Sequence, residues 1–186
     1  MARRFDRIGD DHRAFIAAQQ MFFVATAAPG GRVNVSPKGM DSLRVLGPER
    51  IAWLNHTGSG NETAAHLLQS DRMTLMWCSF DARALILRAY GRARTVHPGD
   101  DGWADMARHF QADFAARQIF DMRVDLVQTS CGYGVPLFDY RGEREVLPKW
   151  AEARGREGIR RYWAERNATS IDGLPTGIPA DIPDRD

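Results

Sequence analysis

Arg32, Asn34, Ser36 and Lys38 recur at every second position, so on a strand their side chains share one face, with Val33 and Val35 on the other. Of the 25 basic residues, all but Lys38 and Lys149 are arginine, which makes the early lysine a compositional exception. An ammonium group beside a serine hydroxyl suits a phosphate or another anion. The plainer reading is a strand that packs its valines inward and turns this polar face to water.

A second group is Thr57-Gly58-Ser59-Gly60-Asn61-Glu62, between an expected strand and an expected helix. Its glycines let backbone N–H groups approach a ligand, and the helix start favours negative charge. Ser59 and Glu62 also have the spacing of a capping box, which is purely structural. The segment is neither a Walker loop nor a dinucleotide-binding glycine pattern. In a third group, Cys131-Gly132-Tyr133-Gly134-Val135-Pro136, a glycine-flanked turn presents Tyr133 to a ligand or a partner chain. Cys131 has no adjacent base and reads as a small buried apolar residue, as does Cys78. Arg88, Arg92 and Arg94 share a strand face. That pattern fits a solvated edge, or a ligand contact at Arg88 if its strand neighbours the first two groups.

Composition narrows the classes. The chain has 186 residues, 44% hydrophobic, with 25 basic against 24 acidic side chains. This balance argues against a nucleic-acid coat or a polybasic membrane binder. Two cysteines make no disulfide framework, and the five histidines are scattered without zinc-ligand spacing, so no metal site is expected. No apolar run approaches a membrane span, and the charged first ten residues lack a signal-peptide core, so a cytoplasmic location is expected.

The elements that must position these groups follow from periodicity and turn chemistry. A helix is expected over 11–20, then strands over 22–28 (ended by Pro29-Gly30-Gly31), 32–36, 43–46 and 51–54, and a helix over 61–69. The longest strands are expected over 73–80 and 84–96, with Gly91 marking a bulge or a close backbone approach. A helical region is expected from Pro98 to about Ala116, a last strand over 123–130 and a helix over 147–166. From Asn167 onward glycine and proline recur, predicting an extended tail and no folded module. About six strands in mostly antiparallel order predict a mainly β fold, a β-barrel with flanking helices. One domain over 1–186 is expected, with a barrel core at about 15–130 and the C-terminal helix and tail at about 137–186.

The order of these pieces resembles the pyridoxamine 5'-phosphate oxidase-like family of FMN-binding split barrels. The residues that carry the likeness are Ser36-Pro37-Lys38-Gly39, Trp53-Leu54-Asn55 running into the Gly/Ser/Asn loop, and Leu87-Arg88-Ala89-Tyr90-Gly91-Arg92. The likeness covers about Phe15 to Val96. It implies a homodimer of split β-barrels with FMN at the subunit interface and a flavin-dependent oxidoreductase acting on a small molecule. Carried over residue by residue, it implies FMN contacts at Ser36, Lys38, Asn55, Thr57, Ser59, Asn61 and Arg88, with Tyr133 added from its glycine turn. Where the oxidase itself has two basic residues in the loop, this chain has Gly60 and Asn61, which leaves Lys38 and the backbone amides to grip phosphate. The resemblance leaves two other outcomes on the same fold: a non-catalytic FMN-binding or stress-response module, and a deazaflavin-dependent reductase.

Overall fold

The computed structural model describes residues 2–111 and 113–179. Along the chain the elements are β1 (Arg3–Phe5), α1 (Asp10–Ala17), β2 (Phe22–Thr26), β3 (Asn34–Lys38), β4 (Leu43–Gly47), β5 (Arg50–His56), α2 (Glu62–Leu67), β6 (Arg72–Cys78), β7 (Leu85–Val96), α3 (Trp103–Ala107), β8 (Ala116–Cys131) and α4 (Val146–Tyr162). The strands form one antiparallel sheet in the order β3-β2-β6-β7-β8-β5-β4, with β1 also on β8. The sheet curls without closing. It is the split barrel with a few helices that the sequence predicts.

Alternation in the sequence sets what each strand buries. In β2, Phe22, Val24 and Thr26 are buried while Phe23 and Ala25 are half-exposed. The interior collects Phe22, Trp53, Leu75, Trp77, Leu87 and Phe120, and Trp53 stacks on Phe120 with centroids 4.4 Å apart. Burying side chains of this size stabilises the fold by roughly 1.5–3 kcal/mol each. A second cluster, with Leu54, Val96 and Ile119, lies under α3, and a third joins Ala115 to Ile159 and Trp163.

β7 pairs with β8 along its whole length, from Leu85 opposite Cys131 to Val96 opposite Ile119, with one register shift at Tyr90/Gly91. A Cβ at Gly91 would run into the carbonyl oxygen of Arg123, so the expected close backbone approach is real. The other edge of β8 is shared by β5 and β1.

Several expectations change. β8 starts at Ala116, seven residues before the expected strand, and the helical region after Pro98 shrinks to α3. The apolar run Ile119-Phe120 is drawn into the sheet by pairing with β5, which overrides local helix propensity. β1 was not anticipated, because its charged sequence carries no apolar alternation. There are eight strands among the described residues, against about six expected.

α4 is broken at Gly155, whose φ of 64° and ψ of 174° lie in a region that glycine alone adopts without strain. The helix passes into a π-helical turn at Trp163–Asn167. The tail beyond is not loose: Asn167, Ser170 and Thr176 are buried, and Thr169 bridges Pro175. Side-chain and backbone hydrogen bonds hold it where apolar periodicity is missing. No helix among the described residues is long and apolar enough to cross a membrane.

Candidate functional site

The polar face of β3 turns inward. Lys38 sits opposite Phe22 and Ser36 opposite Val24, both core residues of β2, while Val33 and Val35 are 71% and 60% exposed. The expected orientation is therefore reversed. An edge strand whose valines face outward and whose lysine faces inward is paying desolvation for something at its inner face.

Lys38 Nζ lies 5.5 Å from the ring centroid of Trp53. Burial, with the nearby charge of Arg117 as the second cause, lowers its pKa to about 8. Arg117, at the start of β8, is 2% exposed, and burial lowers its pKa to about 10, with Tyr162 acting in the opposite direction. No carboxylate among the described residues pairs with either cation. Arg117 donates through Nη1 to the carbonyls of Gly60 (2.9 Å) and Gly58 (3.4 Å), and its buried Nε has no partner. Trp53 Nε1 and Gln118 Oε1 are likewise buried without partners. Two like charges drawn away from water, beside the unpartnered N–H donors Arg117 Nε and Trp53 Nε1, fit a bound anion, whereas Gln118 Oε1 is an acceptor and calls for a donor.

The loop from Thr57 to Asn61 is fixed from three sides. Thr57 Oγ1 donates to the Ala115 carbonyl (2.5 Å) and accepts from Trp163 Nε1 (2.7 Å). Asn61 Oδ1 accepts from Gln118 Nε2 (2.6 Å). Asn167 Nδ2 donates to the carbonyls of Gly58 (3.1 Å) and Ser59 (3.4 Å). The expected capping box is not formed. Asn61 is the N-cap of α2 without a side-chain cap bond, and Glu62 accepts the backbone N–H of Ile171 instead. The C-terminal segment takes the partner that Ser59 would have used, which leaves Ser59 exposed.

The eight residues singled out in the sequence do not form one cluster. Asn55 lies opposite Gln118 in register and Asn61 bonds the same Gln118, next to Arg117, whose charge reaches Lys38, while Ser36 shares the inward face of β3 with Lys38. Thr57 lies beside them, but its hydroxyl is already committed to Ala115 and Trp163. Arg88 lies on the outer face of the sheet, where its Nη1 donates to Ser130 Oγ (3.3 Å). Tyr133 is 86% exposed in a separate groove with Arg3, Arg83 and Cys131. Cys131 is exposed, contrary to its reading as a buried residue, because the chain leaves the sheet there. Cys78 is buried, which raises its thiol pKa.

Sequence reasoning missed Arg117, Gln118, Trp163 and Asn167. The available signal was an arginine and a glutamine leading directly into the apolar run Ile119-Phe120. Just beyond Lys38, Met40 and Asp41 both have positive φ, 60° and 50°. Neither residue adopts that region freely, and strain of this kind concentrates at functional loops. Met40 lines a cavity of about 1090 Å³ together with Gly39 and Thr57 to Ser59. Among the described residues no group of three or more His, Cys, Asp or Glu side chains is placed to hold a metal.

Comparison with known proteins agrees with this architecture. The sequence model of the family described as pyridoxamine 5'-phosphate oxidase matches residues 8–131. A pyridoxamine 5'-phosphate oxidase family protein of Aspergillus flavus, ustO, is 34% identical over 92% of this chain and 76% of its own length. A Lactobacillus delbrueckii protein that carries the same oxidase name superposes with a TM-score of 0.54 at 16% identity, over 66% of this chain and 94% of that one. HupZ of Group A Streptococcus superposes with a TM-score of 0.51 at 19% identity, over 64% of this chain and 91% of that one. The inward lysine strand, the glycine loop after β5 and the split sheet thus sit in the segment shared with these relatives, and the chain belongs to the pyridoxamine 5'-phosphate oxidase family.

Proposed function

We propose that the protein binds FMN and is a flavin-dependent oxidoreductase acting on a small molecule. The observation that carries this reading is the half-buried Lys38 beside the fully buried Arg117, a pair that no carboxylate among the described residues balances. A phosphate in the barrel mouth would neutralise both charges. Arg117 stands in for the basic residues that the loop lacks at Gly60 and Asn61.

Bound FMN would supply the redox chemistry, and the chain's task is to bind and orient it. Lys38 supplies a point charge to the phosphate, with Ser36 two residues away on the same face. Arg117 holds the Gly58 and Gly60 carbonyls away from the anion, while its unpartnered Nε is free to donate. Asn55, Gln118 and Asn61 offer amide groups for a polar chain. Trp163 and Asn167 fix the loop before the ligand arrives, which lowers the ordering cost of binding.

The dimer belongs to this reading as well. The outer sheet face carries Phe23, Val35, Met76, Tyr90 and Leu126 around Arg88, all partly or fully exposed. By register they form a continuous surface from β3 across to β8. A second copy seated there would cover the valines and bring Arg88 to the interface. Purification under native conditions followed by denaturation tests the cofactor: released FMN supports the reading, and protein that neither carries nor takes up FMN overturns it. Light scattering tests the dimer separately.

A further inference from the structure

A cavity of about 1090 Å³ lies between the barrel and the C-terminal segment. Its inner wall is Gly39, Met40 and the loop from Thr57 to Ser59. Its outer wall includes Phe138, Trp150, Arg154 and Tyr162. These outer residues follow the family-matched segment 8–131, so the family's common barrel does not itself supply this wall.

Two aromatic pairs border the space. Phe80 and Phe138 have centroids 5.2 Å apart, and Trp150 and Tyr162 meet edge to face at 5.1 Å. The Arg154 guanidinium carbon lies 4.7 Å from the Trp150 centroid and 5.1 Å from that of Tyr162. The break at Gly155 follows Arg154 directly and folds the second half of α4 so that Tyr162 returns to Trp150. Stacking on two rings holds a guanidinium plane while leaving its N–H groups free to donate.

The charges on the lining are unevenly satisfied. Arg141, Arg144 and Arg154 have no carboxylate partner among the described residues, and the lining carboxylate of Asp139 has no cationic one. Asp81 already accepts the Ser79 hydroxyl (2.5 Å) and the Arg83 amide (2.8 Å), and Glu143 accepts the Tyr140 hydroxyl (3.0 Å). Asp139 lies beside Phe138, whereas Arg154 is held on Trp150 and Tyr162 with its N–H groups free, so an anionic group is favoured at Arg154 and the aromatic walls favour a flat apolar body.

We propose that this cavity is the substrate site and takes a planar aromatic carboxylate, its carboxylate on Arg154 and its ring among the aromatic pairs. The assignment as substrate site rests on the flavin reading, because Tyr162 both lines the cavity and neighbours Arg117. Binding of the carboxylate itself does not depend on that reading.

The test uses the protein as purified, with 2-naphthoate and its neutral counterpart 2-naphthamide as probes, read by tryptophan fluorescence and calorimetry. 2-Naphthoate is expected to bind at least about tenfold more tightly than the amide, the lower end of a charge-assisted contact because Arg154 is exposed. Arg154→Gln is expected to abolish that preference while leaving amide affinity, flavin content and melting temperature unchanged. Equal binding of the two probes, or a preference that survives Arg154→Gln, overturns the proposal. Flavin content and uptake of added FMN are measured on the same samples, so failure of the flavin reading shows as protein that neither carries nor takes up FMN and remains distinct from failure of carboxylate binding.

Discussion

Lys38 and Arg117 stand close enough that the arginine's charge depresses the lysine's pKa, and no acidic side chain among the described residues relieves either one. One comes from the second strand of the β2–β3 hairpin and the other from the start of β8, 79 positions later in the sequence. Their meeting is a product of the curl of the open sheet, which carries β3 at one edge and β8 beyond three intervening strands. A buried like-charge pair destabilises a fold on its own account, so its presence points to an anion that the free chain does not supply.

The first prediction is a pH dependence. Lys38 must be protonated to hold a phosphate, and its pKa in the free protein is about 8. FMN affinity is expected to fall as pH rises through that value. The sign for folding is opposite. The unfolded lysine keeps its proton to roughly pH 10.4, so between the two values the unfolded state binds more protons, and this group's contribution makes the free protein more stable as pH rises. Fluorescence titrations and denaturant melts across that range check both directions, and affinity independent of pH would remove Lys38 from the contact.

Lys38→Met separates binding from folding. FMN affinity is expected to drop about tenfold to hundredfold, the range for a lost charge-assisted hydrogen bond. The melting temperature of the flavin-free protein is expected to rise or hold, because a desolvated charge is replaced by an apolar chain. A variant that melts lower yet binds FMN normally would show that the lysine is structural.

Trp163→Phe tests the clamp on the loop. The change removes the 2.7 Å bond from Nε1 to Thr57 Oγ1 while keeping most of the ring's burial. A loss of about 1 kcal/mol in stability is expected, together with faster hydrogen exchange at Thr57 to Asn61. Unchanged exchange there would mean that Ala115 and Asn167 hold the loop without the tryptophan.

Gly91→Ala probes the sheet that carries Arg88. Its Cβ would meet the Arg123 carbonyl, which is backbone and cannot swing aside. Destabilisation of about 3 kcal/mol or more is expected, at the upper end for single substitutions. Chemical denaturation gives the value, and a neutral result would mean that the two strands separate easily at the bulge.

Much of this architecture can be read from the sequence, and the parts that cannot share a physical reason. β2 announces itself as an apolar, β-prone run ended by Pro29-Gly30-Gly31, and Gly91 announces the bulge because only glycine fits. Lys38 stands out as a lysine among arginines. Arg117 does not, since nothing local distinguishes a buried unpaired arginine from the solvated ones around it. The inward turn of β3 is equally hidden: Val33 and Val35 look like a core face, and only the placement of β3 at the sheet edge, over α2, reverses it. The C-terminal clamp is written in Trp163 and Asn167, which bond the loop, Asp172, which accepts from Arg32, and Thr176, which donates to the Asn167 carbonyl; these bonds depend on tertiary approach and leave no periodic trace.

The most direct measurement is a paired titration of the flavin-free protein with FMN and with riboflavin, which lacks the phosphate, on the wild type and on the double variant Lys38→Met/Arg117→Met. Wild type is expected to bind FMN at least about a hundredfold more tightly than riboflavin, since two charge-assisted contacts of this kind act together. The double variant is expected to bind the two flavins alike. Wild type that does not distinguish FMN from riboflavin, or a double variant that keeps the preference, would contradict the assignment of the phosphate to Lys38 and Arg117.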